Sequence, residues 1–276
     1  MQQVNEKEIL EQEKRIKDKI SKIKYVLIVI SGKGGVGKTS VAVNLGYALS
    51  LLEKKVGILD IDIHGPNIAK MLGIENKSIY GLESGIEPVA VTFNLKAVSL
   101  ALTGYHPDQP VIWRGPMKTA LIRQFLGDVN WGELDYLIVD SPPGTGDEPL
   151  SICQLIPKIS GAIIVTTPQD VAILDSRKSV LFAQELKVPV VGIIENMSGF
   201  TCPYCHNQID IFKKGGGEKS AFELKVPFLG RMPFEPELVE LADKGIPFVS
   251  FQEKSKSAEA FRGIVNRIKE FVDDKE

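Results

Sequence analysis

Continuous apolar runs organise this chain more clearly than strict alternation does. Seven stretches rich in β-branched residues recur: "YVLIVIS", "KVGILDI", "KAVSLAL", "YLIVDS", "GAIIVTT", "VPVVGIIEN" and a weaker "VPFLGRMP". Several are apolar throughout, as expected of strands buried on both faces of a parallel sheet. Residues 38–53, 117–126, 149–157 and 171–186 lie between them and read as helices. This alternation predicts an α/β fold: a doubly wound, mostly parallel sheet with helices on both faces, in a single domain. Residues 4–24 read as a charged amphipathic helix with Ile9, Ile16, Ile20 and Ile23 along one side. The expected division is thus an N-terminal helical extension over 1–24, packed on the surface of a domain over 25–276. The stretch 196–220 is polar and glycine-rich and reads as an inserted loop. A final helix over 257–273 carries Phe261, Ile264, Val265, Ile268 and Phe271 toward the core. A membrane-seeking role for it is disfavoured by the acidic ending "DDKE".

Composition narrows the picture. The 276 residues, 43% of them hydrophobic, suffice for one large buried core. A formal net charge of −2 and a pI near 6.0 provide no basic surplus for nucleic acid or an anionic membrane. No apolar run is long enough to span a bilayer, and the charged start "MQQVNEKEILEQEKRIKDK" does not read as a signal peptide. A cytoplasmic protein is expected. The cysteines are Cys153, Cys202 and Cys205, an odd number that points away from a disulfide framework. Cys153, in "LSICQLIP", reads as a small hydrophobe on a helix; the close pair invites thiol or metal chemistry.

"GKGGVGKT", Gly32 to Thr39, matches G-x-x-x-x-G-K-[ST] between an apolar strand and a helix. Gly34, Gly35 and Gly37, flanking Val36, let backbone N–H groups turn toward phosphates. The helix N-terminus adds partial positive charge. Lys38 is expected on the β- and γ-phosphates of ATP and the Thr39 hydroxyl on Mg²⁺. "ILDIDIHGPN" supplies Asp60 and Asp62, two apart and therefore expected to point to the same side. Asp62, at the strand's tip, is assigned to the attacking water or the Mg²⁺ shell. In "YLIVDSPPGTGD", Asp140 ends an apolar strand as a metal-side acid should, and the stiff turn after it can present the Gly144 N–H to a γ-phosphate.

"KGGVGKT", "DIDIHGPN" and "DSPPGTGDEP", with "CPYC" in the late loop, resemble the deviant Walker A P-loop ATPases, most closely the Mrp/ApbC branch of iron–sulfur cluster carriers. The resemblance runs from about Lys24 onward. It implies that Lys33, five residues before Lys38, is the signature lysine that crosses a face-to-face homodimer to the partner's nucleotide. A cation supplied in trans neutralises charge on the transferred phosphoryl, as an arginine finger does. It also implies that Asn196 reads the adenine edge and that Pro233 and Phe234 line the adenine side. Without the resemblance, Lys33 reads as a solvated loop charge, and the last three as core or turn residues.

Cys202 and Cys205 have C-x-x-C spacing, which grips one soft metal or one cluster edge, and a complete site needs about four ligands. With no second C-x-x-C in the chain, the implied dimer suggests two thiolates from each subunit around a [4Fe–4S] cluster, as the resemblance also implies. Zn²⁺ bound by the same thiolates or with His206, and a thiol–disulfide motif, are the alternatives. The sequence shows neither the N-terminal cysteine group of the family's eukaryotic cytosolic scaffold branch nor the extra domain that many bacterial members carry before the glycine-rich loop, so a permanent N-terminal cluster and docking through such a domain are not expected. The expected function is a slowly hydrolysing, homodimeric ATPase that carries a cluster to apoproteins. A positioning ATPase and an electron donor like the nitrogenase iron protein are the rivals.

Overall fold

The computed structural model describes residues 6–82, 84–104, 114–202, 204–250 and 255–274. Residues 4 and 5 of the expected first helix, Pro203 between the paired cysteines, and the last two residues of the acidic tail lie outside them. The chain runs from α1 (Glu6–Ile20) through β1 (Ile23–Ile30) to α2 (Lys38–Leu51), β2 (Val56–Asp60) and the short α3 (Ile68–Met71). A small hairpin, β3 (Tyr80–Leu82) and β4 (Gly85–Glu87), precedes β5 (Val89–Ala90) and β6 (Leu95–Val98). Then come α4 (Gly115–Gly127), β7 (Leu134–Asp140), α5 (Asp147–Leu155), β8 (Gly161–Thr166), α6 (Asp170–Glu185) and β9 (Val190–Glu195). A second hairpin, β10 (Phe200–Thr201) and β11 (Gln208–Ile209), leads to α7 (Gly216–Leu224), β12 (Phe228–Arg231), α8 (Pro236–Asp243) and α9 (Lys256–Asp273).

Eight strands form one sheet in the order β12-β9-β8-β1-β7-β2-β6-β5. Every pairing is parallel except β5 with β6 at the edge. The expected doubly wound sheet is therefore what the sequence builds. The side chains of β1 divide the interior in two. Tyr25, Leu27 and Val29 join a core with Val41, Leu45 and Leu49 of α2 and with Phe261, Ile264, Val265 and Ile268 of α9. Val26, Ile28 and Ile30 join another with Ile16 and Ile20 of α1, Phe125 of α4, Ile152 of α5 and Val180 of α6. Both faces of the central strands are thus dry, which is why their sequences are apolar without a break.

The expected helices over 38–53, 117–126, 149–157, 171–186 and 257–273 shift at their ends by one or two residues, and two other boundaries differ by more. Ile23 opens β1 rather than extending the first helix, because α1 closes at Ser21 and Lys22, whose N–H groups complete its last turn. The insert is not loop to its end: α7 begins at Gly216 and buries Ser220 and Ala221. Cys153 sits half-buried on α5 against the second core, where burial pushes its thiol up to about 11. The parallel strands all deliver their C-terminal ends to one edge of the sheet, where ligands bind in open α/β folds. The segments that follow β1, β2, β7 and β9 carry Lys33 and, at the start of α2, Lys38; then Asp62; Gly144; and the hairpin with the cysteine pair.

Candidate functional site

The glycine-rich loop closes tightly on itself. Gly35 and Gly37 adopt φ of 78° and 84°, the left-handed region that favours glycine. A side chain at Gly37 would strike the Asn196 amide, and one at Gly32 would strike the backbone of Asp175 on α6. Gly34 needs neither allowance: a Cβ there would meet only Pro143, at 3.8 Å. Val36 is buried, and its carbonyl accepts a 2.8 Å hydrogen bond from Asn196 Nδ2. The amide expected to read a base is thus also fastened to the loop.

Lys38 is 6% exposed, and its Nζ lies 2.5 Å from Asp140 Oδ1. Thr39 Oγ1 donates to Asp140 Oδ2 at 2.7 Å. The three side chains that the sequence assigned to phosphate, magnesium and metal-side acid therefore converge. Asp140 stands level with Asp60 across β7 and β2, and both are buried. Burial, and then the Asp140 carboxylate, push Asp60 up to about 8. Asp140 is also raised by burial, against the pull of the Lys38 ammonium. Asp60 Oδ2 accepts from Ser99 Oγ at 3.0 Å, and Asp60 Oδ1 accepts from the Asp62 N–H at 3.0 Å.

Asp60 and Asp62 do not share a face. β2 ends at Asp60, so strand alternation no longer applies two residues on. Asp60 turns inward, whereas Asp62 lines a cavity of about 390 Å³ with Lys33, Lys38, Thr39 and Pro143. Lys33 is exposed at that cavity and, among the described residues, has no ion-pair partner. The Gly144 N–H does not face the cavity as a free donor: it donates to the Ser31 carbonyl at 2.7 Å, so the turn braces the glycine-rich loop instead. A second cavity, of about 220 Å³, is lined by Asn196, Pro233, Phe234, Leu238 and Met71. Gly37, Ser40, Met71, Ala242 and Asp243 belong to both walls, so the two cavities adjoin.

Cys202 and Cys205 lie between β10 and β11, at the tip of the hairpin. Cys205 is exposed, Cys202 half-buried and the intervening Tyr204 93% exposed. The N–H groups of Cys205 and Tyr204, and then the Cys205 side chain, lower the Cys202 thiol. Among the described residues, no group of three or more His, Cys, Asp or Glu side chains is placed to hold a metal ion.

Glu195 was missed from sequence. Its buried carboxylate accepts from the N–H groups of Gly215 at 2.9 Å and Gly217 at 2.6 Å, and from Ser198 Oγ at 2.5 Å. Arg231 Nε stands 3.3 Å away. The signal was the one that singled out Asp140: an acid ending an apolar strand, here in "VVGIIE". The helix α8, which supplies Leu238, Ala242 and Asp243 to the cavity walls, was also missed, because it buries no residue of its own.

Among the described residues, no helix is long and apolar enough to cross a membrane. The chain is 54% identical over 267 residues to the iron-sulfur cluster carrier protein of Methanocaldococcus jannaschii, covering 97% of this chain and 91% of that one. It is 49% identical over 274 residues to the protein of the same name from Pyrococcus furiosus, covering 94% and 92%. A solved nucleotide-binding protein in complex with ADP from Archaeoglobus fulgidus superposes with a TM-score of 0.75 at 37% identity, over 85% of this chain and 92% of that one. The septum site-determining protein MinD of Pyrococcus horikoshii, complexed with Mg-ADP, shares the fold with a TM-score of 0.66 at 23% identity, over 91% and 98%. The ParA family model described as NUBPL iron-transfer P-loop NTPase matches residues 22–269. The chain belongs to that family of iron-transfer P-loop NTPases.

Proposed function

We propose that this protein is a cytoplasmic, ATP-binding and ATP-hydrolysing carrier of iron–sulfur clusters that works as a homodimer and passes its cargo to apoproteins. The observation that carries this reading is the presence in one chain of two complementary sites. One is a cavity at a glycine-rich loop containing Lys38, Thr39 and Asp140. The other is an exposed hairpin bearing two thiols and no third ligand among the described residues. The relatives' names and the ADP complex of the Archaeoglobus protein point the same way.

In this reading the phosphates lie along the backbone from Gly32 to Gly37, against Lys38 and the N-terminus of α2. The oxygens of Thr39 and Asp140 lie together beside a lysine and suit the hard cation Mg²⁺, which supplies charge neutralisation of the β- and γ-phosphates when bound. Lys38 must then exchange the Asp140 carboxylate for phosphate oxygens. Asp62 orients the attacking water from the cavity wall. Gly144 serves the phosphate site by fixing the loop through Ser31. The base sits in the apolar cavity against Pro233 and Phe234, with the Asn196 carbonyl oxygen left to accept from an exocyclic amine. Lys33 reaches the nucleotide of the second copy. Two Cys202–Cys205 pairs, one from each copy, hold a [4Fe–4S] cargo. The same four thiolates also suit Zn²⁺, so the metal content of loaded protein decides between them.

The test is anaerobic loading with iron and sulfide, followed by mixing with an apo-enzyme that requires a [4Fe–4S] cluster. Wild type is expected to gain thiolate-to-iron absorbance and to restore the apo-enzyme. Cys202→Ala/Cys205→Ala is expected to do neither. Equal loading of the double variant excludes the cysteines as the site. Loading without transfer favours an electron donor, and tight zinc without iron favours a structural metal.

A further inference from the structure

The cysteine insert is fastened at two places of different kinds. One is Glu195, a buried carboxylate gripping Ser198, Gly215 and Gly217. The other is the segment after β12. There the Ser198 N–H donates to the Met232 carbonyl, and the Phe234 N–H donates to the Gly199 carbonyl, each at 2.8 Å. A parallel bridge joins Phe200 to Phe234. The Phe234 ring meets Phe200 edge-on at 6.0 Å and 60°, and Phe212 at 6.2 Å and 80°. These two rings flank the cysteines in sequence, Phe200 before Cys202 and Phe212 after Cys205. Phe234 also lines the 220 Å³ apolar cavity that adjoins the glycine-rich loop. One side chain therefore borders the candidate base cavity and meets both the first strand of the cysteine hairpin, at Phe200, and the segment just after its second strand, at Phe212.

We propose that Phe234 is a positioning residue through which a purine base in that cavity sets the conformation of the Cys202–Cys205 hairpin within a single subunit. The inference rests on the proposed nucleotide site, and it adds a route from nucleotide to thiols that does not cross the dimer. Edge-to-face aromatic pairs depend on angle, and one pair is worth about a 2- to 10-fold change in a two-state population. A planar base stacked or wedged against Phe234 favours one setting of the ring. The Phe200 and Phe212 rings must follow it or lose their contacts. The shift can be no larger than the difference in contact free energy between the two settings.

Amide hydrogen exchange of the full-length, reduced, iron-free protein tests this, with MgADP as ligand and light scattering confirming a monomer. ADP binding is measured in parallel by calorimetry. In wild type, saturating MgADP is expected to change exchange in residues 200–209 by about 2- to 10-fold, while β3–β4, remote in sequence and pairing, is unmoved. Phe212→Ala does not touch the cavity, so it is expected to bind ADP like wild type yet lose most of the hairpin response. Phe234→Leu is expected to lose the response as well, and Phe234→Tyr, which keeps the ring, to retain it. ADP binding with no hairpin response in wild type overturns the inference and leaves the nucleotide site intact. A full response in both Phe212→Ala and Phe234→Leu overturns it equally. No ADP binding in wild type removes the proposed nucleotide site, and the inference with it.

Discussion

The glycine-rich loop and the cysteine hairpin both follow a strand of the same sheet, and they are held in opposite ways. Lys38 and Asp140 are almost wholly buried, and their charged atoms bond one another. Cys205 is exposed beside Tyr204, and the hairpin's own ladder is two residues long on each side. At the glycine-rich loop, Lys38, Thr39 and Asp140 already meet within one copy, whereas the hairpin brings together two thiols with no third candidate ligand among the described residues, where a metal centre needs about four. A preorganised site loses little on binding its ligand. On the proposed reading, an exposed pair of thiols suits cargo that must be both accepted and released.

Several measurements bear on that contrast, the largest effect first. Lys38→Ala leaves Asp140 buried without its cation and is expected to cost about 3–5 kcal/mol in urea unfolding, together with nucleotide binding. A cost below 1 kcal/mol would mean that the loop is not braced by this pair. Lys33→Ala, at an exposed position, is expected to lower phosphate release about 10²- to 10³-fold, with unfolding unchanged; intact hydrolysis would exclude a role in trans. Glu195→Gln removes one charged acceptor from two amides and a hydroxyl. It is expected to cost about 2 kcal/mol, with faster exchange confined to residues 196–217. A uniform change across the molecule would show that the clamp is not local.

Asp60 supplies a pH test. Its folded pKa, about 8, lies above the 3.8 of an ordinary aspartate, so between those values the folded state keeps a proton that the unfolded chain has lost. The stability that Asp60 contributes to the nucleotide-free protein should therefore fall as pH rises through that window, by at most about 1.4 kcal/mol per pH unit, and level off above it. Asp60→Asn should remove that part of the slope; equal slopes in wild type and variant from pH 5 to 7 would contradict it. The smallest effect is expected at the other site. Cys202→Ala/Cys205→Ala should change unfolding by no more than about 0.5 kcal/mol, while iron loading disappears. A large loss of stability there would mean that the hairpin supports the fold.

Much of this arrangement was legible in the sequence, for reasons specific to each element. The central parallel strands are buried on both faces, so their apolar runs mark them without ambiguity. The short pieces β3, β4, β10 and β11 carry no such mark, being two or three residues of mixed polarity. Ile20 and Ile23 continue a helical period across the point where α1 stops, which hid the start of β1. Asp140 and Lys38 were readable because each stands at the tip of a strand or the start of a helix. The inward turn of Asp60 was not, since it depends on Ser99, distant in sequence. Glu195 with Gly215 and Gly217, and Phe234 with Phe200 and Phe212, are likewise tertiary pairings that spacing does not announce.

The grip of Glu195 on Ser198 and Gly215 has a consequence for how such a chain can diversify. Residues 199–214 depart from and return to a single carboxylate, so they form a cassette whose ends already meet. Lengthening such a loop is cheap, about 0.6 kcal/mol for each doubling. The insert can therefore change in length and sequence while Glu195 still holds its two ends together, provided that Phe200 and Phe212 keep their places against Phe234.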